Sequence, residues 1–221
     1  MIAVIDYGMG NLRSVQKALE KVGAEAVFIS KPAGLKKCEK LVLPGVGAFG
    51  DAMKELRRLK LDEAIKETIA LGIPFLGLCL GLQLLFEKSA EAPGVKGLCV
   101  LKGEVKKFRF TNYKQQITDD GQQTTNNALK VPHMGWNKIV ARSPSSVARK
   151  ILRGVPSGSY MYFVHSYYVE PKDKGVILTT TDYGIKFASG IRKDNIYAFQ
   201  FHPEKSQGVG LRLLRNFVKL K

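Results

Sequence analysis

Residues 77–83, GLCLGLQ, set a single cysteine, Cys79, between two glycines where the apolar run IPFLGL (73–78) gives way to LQLLFEK. A thiol does chemistry only as the thiolate, so a reactive cysteine needs a place that exposes it and groups that favour its charge. The G-x-C-x-G form is that of a nucleophile elbow, a tight strand-to-helix turn whose central residue is backbone-strained and presented outward. Gly77 and Gly81 leave room where a Cβ would collide with the neighbouring strand or helix. The thiol is then expected at the N-terminus of a helix starting near Leu80, where free N–H groups and the helix dipole favour the anion. The same letters also fit a buried structural cysteine with incidental glycines, so the pattern requires a helper.

One stands near the C-terminus, in FHPEKS (201–206). Pro203 is excluded from a helix interior and pushes His202 towards extended backbone. Residues i and i+2 of an extended chain point to one side. His202 and Glu204 therefore project together, the carboxylate holding one ring nitrogen and leaving the other for a thiol. Nucleophile, base and orienting carboxylate form the logic of a catalytic triad, provided the strand carrying HPE lies beside the elbow strand. The two other histidines, His133 in VPHMGWN and His165 in YFVHSYY, are flanked by aromatic or apolar residues and read as core or pocket-wall side chains. Acyl chemistry also needs donors for an oxyanion. LPGVGAFG (43–50) is a glycine-rich turn whose backbone can approach a substrate closely and rearrange, or simply a tight βα connection. DYGMGNL (6–12) lacks the third glycine of a dinucleotide fingerprint; its Asn11 and Arg13 line a site or start a helix.

These pieces must be held by elements that the apolar pattern outlines. IAVID (2–6) reads as a buried strand, and Leu12, Val15, Leu19 and Val22 share one helical face. AVFIS (26–30), KLVLPG (40–45), a helical stretch through Met53, Leu56 and Leu59, and IPFLGLC (73–79) follow. Strands separated by helices imply parallel pairing with right-handed crossovers. The second half is richer in strands: LCVLKGEV, WNKIVA, YMYFVHSYYV, VILTTT, KFASGIR and IYAFQF. A last helix runs through Val209, Leu213, Phe217 and Leu220. Neither a linker nor a repeat divides the chain, so one α/β domain over 1–221 is expected. The segment 109–130, RFTNYKQQITDDGQQTTNNALK, is polar without apolar periodicity and reads as a long loop.

The whole has 221 residues, 45% hydrophobic and 24% charged, enough for a substantial core. No apolar run reaches the roughly 18 residues of a membrane span, and MIAVIDYG enters a strand without a basic leader. A cytoplasmic protein is expected. Three cysteines (Cys38, Cys79, Cys99) in no ligand spacing favour neither disulfides nor a metal. Lys and Arg exceed Asp and Glu by 16. These cations are scattered and unaccompanied by an aromatic stripe, so a solvated basic surface is a better reading than nucleic-acid binding.

GLCLGLQ with FHPEKS resembles the triad-type (class I) glutamine amidotransferases. DYGMGNL, LPGVGAFGDAM, VPHMGWN and YFVHSYYV, in that order, make the chain similar within them to the glutaminase subunits of imidazole glycerol phosphate synthases, apart from a polar insertion at about 109–128. The resemblance implies a mixed, mostly parallel open sheet flanked by helices, with Cys79 as nucleophile, His202 as general base and acid and Glu204 as its orienting carboxylate. It implies that Gln83 and the backbone at Gly45 and Gly47 contact glutamine or its oxyanion. The backbone at Ser166 and Tyr167 would hold the amino acid's carboxylate and amine. It assigns Asn11, Trp136 and Lys205 to the surface facing a partner, a TIM-barrel cyclase forming a heterodimer with this subunit, and calls for neither cofactor nor metal. A subunit delivering ammonia to a different synthase, such as an amino-sugar enzyme, shares the triad and stays open here. So does a peptidase-type or stress-protein hydrolase on a similar core.

Overall fold

The computed structural model describes residues 1–110, 129–142 and 148–220. The polar insertion expected at 109–128 lies almost entirely outside the described residues. Among the described residues, no helix is long and apolar enough to cross a membrane.

The chain runs β1 (Ile2–Ile5), α1 (Leu12–Lys21), β2 (Ala26–Ile29), β3 (Lys40–Leu43), α2 (Phe49–Arg58), α3 (Leu61–Ala70), β4 (Phe75–Leu78) and α4 (Leu80–Gln83). There follow β5 (Lys88–Ser89), β6 (Gly103–Lys107), β7 (His133–Lys138), β8 (Val140–Ala141), α5 (Ala148–Ile151), β9 (Tyr160–His165) and β10 (Tyr167–Pro171). The last elements are β11 (Ile177–Asp182), β12 (Lys186–Lys193), β13 (Ile196–Phe199) and α6 (Gln207–Val218). The main sheet has the order β2-β1-β3-β4-β13-β12-β10-β6-β5. It is parallel from β2 through β13 and mainly antiparallel beyond, which is the mixed sheet expected.

Central strands bury both faces, so they read as continuous apolar runs. In β1, Ala3 and Ile5 enter the core on one side with residues of α2 and α3, while Ile2 and Val4 enter the other with residues of α1 and α6. Helix α1 packs through Val15, Ala18 and Leu19, and Asn11 caps its start by accepting from the Ser14 amide. The helical stretch expected through Met53, Leu56 and Leu59 is α2, with Leu59 as its C-cap, and a second helix, α3, follows that the sequence reading did not name. Lys60 adopts a left-handed conformation (φ 56°) between them, a break that the apolar spacing alone does not announce. LCVLKGEV is a strand only from Gly103, and YMYFVHSYYV is cut at Ser166. The two halves of that run belong to different sheets: β10 joins the main one, and β9 pairs antiparallel with β7 in a separate ribbon.

Candidate active site

The elbow forms where β4 ends. Cys79 has φ 52° and ψ −104°, a conformation costly for a residue with a Cβ. Its amide donates to the Phe199 carbonyl at 2.8 Å, tying the elbow to the end of β13. A Cβ on Gly77 would sit 2.8 Å from the Gly81 carbonyl oxygen, and one on Gly81 would sit 1.9 Å from that of Leu43. Both glycines are therefore required by close backbone approach, as the spacing suggested. Gly81→Ala is expected to lower unfolding stability by about 3 kcal/mol or more, since neither carbonyl nor turn can yield. Urea unfolding midpoints would reveal this, and a midpoint equal to wild type would contradict it.

The helix after Cys79 departs from expectation. It is one turn, Leu80–Gln83, too short to carry a macrodipole of consequence. The Leu80 amide, the first donor beyond the nucleophile, is engaged by the Gly45 carbonyl at 3.3 Å. Gly45 itself lies where a Cβ would meet the Tyr7 hydroxyl at 2.5 Å, and Gly47 has φ 101°. The buried Tyr7 hydroxyl donates to the Pro44 carbonyl at 3.2 Å and so fixes the start of the same turn. Burial first, then the nearby Cys79 sulfur, pushes its phenol up.

β13 runs parallel to β4, with Phe199 opposite Leu78, and the chain leaving it brings His202 to the elbow. The His202 amide donates to the Tyr162 carbonyl at 2.9 Å, which locks the turn onto β9. His202 Nδ1 and Glu204 Oε1 are 2.7 Å apart, both side chains buried. The pairing holds, yet only His202 is extended; Pro203–Lys205 form a 3₁₀ turn, so Glu204 reaches back across a turn and not along a strand. Ser206 steadies it, donating to the His202 carbonyl at 2.6 Å and accepting from the Tyr162 amide at 3.0 Å. Burial alone would oppose charge on the His202 ring. The Cys79 sulfur and the Glu204 carboxylate more than offset it and hold the imidazolium up to about 10.

A cavity of about 320 Å³ opens in front of Cys79, walled by Gly47, Gln83, Glu91, Ser166 and Tyr167 among others. That is within the range of small-ligand sites, about 300–1,000 Å³. Cys79, Gly47, Gln83, Ser166 and Tyr167, all expected from the sequence, converge here, with Gly45 just behind. Glu91 was not foreseen. It lies in a loop without periodicity, and one of its oxygens accepts from the Phe49 amide at the start of α2 at 2.9 Å.

The two histidines first read as wall residues have a more specific arrangement. His165 Nδ1 is 2.8 Å from the Tyr167 carbonyl, which only accepts, so that nitrogen carries the proton. In the neutral ring Nε2 must then accept, and it receives His133 Nδ1–H at 2.9 Å. His133 Nε2 in turn accepts from the Asn137 amide at 3.2 Å. Burial drives both rings to neutrality, His133 down to about 4 and His165 to about 3; for His165 the nearby His133 and His202 add to it, against the Tyr167 carbonyl.

Asn11, Trp136 and Lys205 are exposed, but only two of them meet. Trp136 lies edge-on to Tyr162 (centroids 6.0 Å apart), and Lys205 Nζ sits 5.8 Å over the same ring. Asn11 spends its side-chain oxygen on the α1 cap, accepting also from the Ser14 hydroxyl at 2.9 Å. The β7–β9 ribbon alternates strictly. His133, Asn137, Met161, Phe163 and His165 point inward, whereas Met134 (61% exposed), Trp136 (47%) and Tyr160 (53%) form an outward stripe.

A family profile described as glutamine amidotransferase class-I matches residues 3–220. The chain is 52% identical over 217 residues to the imidazole glycerol phosphate synthase subunit HisH of Aquifex aeolicus, covering 98% of this chain and 95% of that one. It is 44% identical over 220 residues to the protein of the same name from Bacillus subtilis, covering 100% and 96%. Among solved structures, one described as a glutamine amidotransferase superposes with a TM-score of 0.70 at 18% identity, covering 99% of this chain and 98% of the other.

Proposed function

The chain belongs to the class-I glutamine amidotransferase family, and within it to the HisH subunits of imidazole glycerol phosphate synthase, and we propose that Cys79, His202 and Glu204 are its catalytic triad. The observation that carries this is the union of an elbow cysteine at φ 52° with a buried His202–Glu204 pair through the β4–β13 pairing.

Cys79 sulfur attacks the side-chain carbonyl carbon of glutamine, and the oxygen takes the negative charge. His202 protonates the departing nitrogen as ammonia, leaving a glutamyl thioester. Water, deprotonated by the same ring, cleaves the thioester to glutamate and restores the thiolate. Glu204 orients the imidazole through Nδ1 without itself reacting. The amino-acid end of glutamine sits at Ser166 and Tyr167, with its ammonium group towards the Glu91 carboxylate. Gln83 borders the reacting amide.

The oxyanion donor is the Leu80 amide. The Gly45 carbonyl occupies it in this conformation, so the Pro44–Gly47 turn has to move away before the tetrahedral intermediate is stabilised. Gly45 and Gly47 permit such a change because neither presents a Cβ to its surroundings. A site closed in this way suits an enzyme whose product must not be made idly. Ammonia released into neutral water becomes ammonium, which is no nucleophile.

The acceptor is a TIM-barrel cyclase subunit, and the heterodimer makes imidazole glycerol phosphate and aminoimidazole carboxamide ribotide for histidine synthesis. It docks on the stripe of Met134, Trp136 and Tyr160 together with Lys205. Tyr162 joins this surface to the chemistry, touching Trp136 and Lys205 on one side and lying 6.5 Å from the His202 ring. Glutamine hydrolysis measured with and without the cyclase tests the reading. Turnover is expected to be low alone and to rise at least about tenfold in the complex; fast hydrolysis by the isolated chain would contradict it.

A further inference from the structure

Beyond the triad, we infer that Gln200 is a catalytic residue: its side-chain amide donates a hydrogen bond to the Cys79 sulfur and holds it as the nucleophilic thiolate. The inference rests on the proposed role of Cys79.

Gln200 is fully buried two residues before His202, at the end of β13. Its Nε2 lies 3.6 Å from Cys79 Sγ, within range for a donor to sulfur. Which end of the amide faces the sulfur follows from a fixed backbone group. The Tyr167 carbonyl can only accept, so the Gln83 atom 3.1 Å from it is the nitrogen. That same nitrogen lies 3.1 Å from the other end of Gln200, which must therefore be the oxygen. The remaining end of Gln200, the one against Cys79, is then the NH₂ group. Flipping either amide would set two donors or two acceptors face to face in a buried place, which costs more than the bond is worth.

This supplies what the short helix does not. With one turn after the nucleophile and its first amide engaged by Gly45, the sulfur draws its stabilising donor from β13. It also limits Gln83. Both hydrogens of its Nε2 are used, by Tyr167 and Gln200, so Gln83 meets substrate only as an acceptor, through Oε1. An acceptor there suits the NH₂ of a carboxamide and repels a carboxylate, which separates glutamine from glutamate.

The test is alkylation by iodoacetamide, a thiolate-selective probe, followed across pH on the Cys79 peptide by mass spectrometry, so that the exposed Cys99 does not contribute. Q200E keeps the contact to Gln83 and loses the donor. Its Cys79 is expected to react about 10- to 100-fold more slowly than wild type at pH 8, the span of a hydrogen bond to a charged group. The deficit should shrink at lower pH, as the introduced carboxyl gains a proton and donates again, a change that a purely structural role would not produce. Q200M, of similar volume but without a donor, should show no such recovery as pH falls. Either variant, unfolding thermally like wild type yet alkylated at the wild-type rate at pH 8, overturns the role of Gln200. If wild-type Cys79 itself reacts no faster than Cys99, the fault lies instead in reading Cys79 as the nucleophile.

Discussion

Cys79→Ala, assembled with the cyclase, is expected to lose glutamine-dependent synthesis by at least roughly 10⁴-fold while synthesis from added ammonium salts continues. In the proposed mechanism only the thioester step needs the sulfur, and the acceptor chemistry belongs to the partner. His202→Ala should behave in the same way, because attack and departure of ammonia both pass through its ring. Glu204→Ala should be milder, since Glu204 touches Nδ1 at 2.7 Å and orients the ring without reacting. Loss of the ammonium-dependent reaction as well would mean that the variants fail to assemble, and would remove the support for a purely chemical role. The truncation does not relieve the strained φ, because any residue with a Cβ at 79 bears the same cost.

The parts of the site legible in the sequence are those built from neighbours. GLCLG encodes its elbow locally: the glycines at 77 and 81 are the positions where a Cβ would strike the Gly81 and Leu43 carbonyls. His202 and Glu204 lie two apart, and Pro203 limits how they can be placed, so their pairing was legible although the turn type was not. The parallel order of β1 to β4 followed from strands alternating with helices. What stayed hidden depends on distant convergence. Gln200 and Gln83 are 117 positions apart, and nothing in IYAFQF marks one polar residue of a buried strand end as facing a sulfur. His133 and His165 look like wall residues because the ribbon buries every second side chain; their hydrogen bond appears only once the β7–β9 register sets them opposite one another. Glu91 lies in a loop without periodicity, and its contact with the start of α2 spans 42 positions. The break of YMYFVHSYYV at Ser166 was hidden for a similar reason. The apolar run continues, while the chain changes sheets and turns its backbone towards the cavity.

The same histidines make stability sensitive to pH, with a sign fixed on each side. His133 and His165 are neutral in the fold, with values lowered from 6.5 to about 4 and about 3. Unfolded, they titrate near 6.5, so between there and pH 3 the unfolded chain binds more protons and acid favours it. Their contribution is complete above about pH 6.5 and is lost as pH falls towards 3. At about 1.4 kcal/mol per tenfold change in proton affinity, His165 alone accounts for up to roughly 4–5 kcal/mol, with His133 adding to it. His202 works in the opposite direction. Its folded value is raised to about 10, so its contribution is complete below about pH 6.5 and is lost as pH climbs through 10. The two limbs meet near pH 6.5, where urea midpoints should be highest. The acid limb should be shallower in His165→Gln, whose amide still donates to the Tyr167 carbonyl and accepts from His133 but carries no titrating group. Cys79→Ala should flatten the alkaline limb instead, since it removes the sulfur that helps hold the His202 proton. Midpoints that stay level from pH 7 to pH 4 in the wild-type protein would show that the histidine pair is not held neutral by the fold.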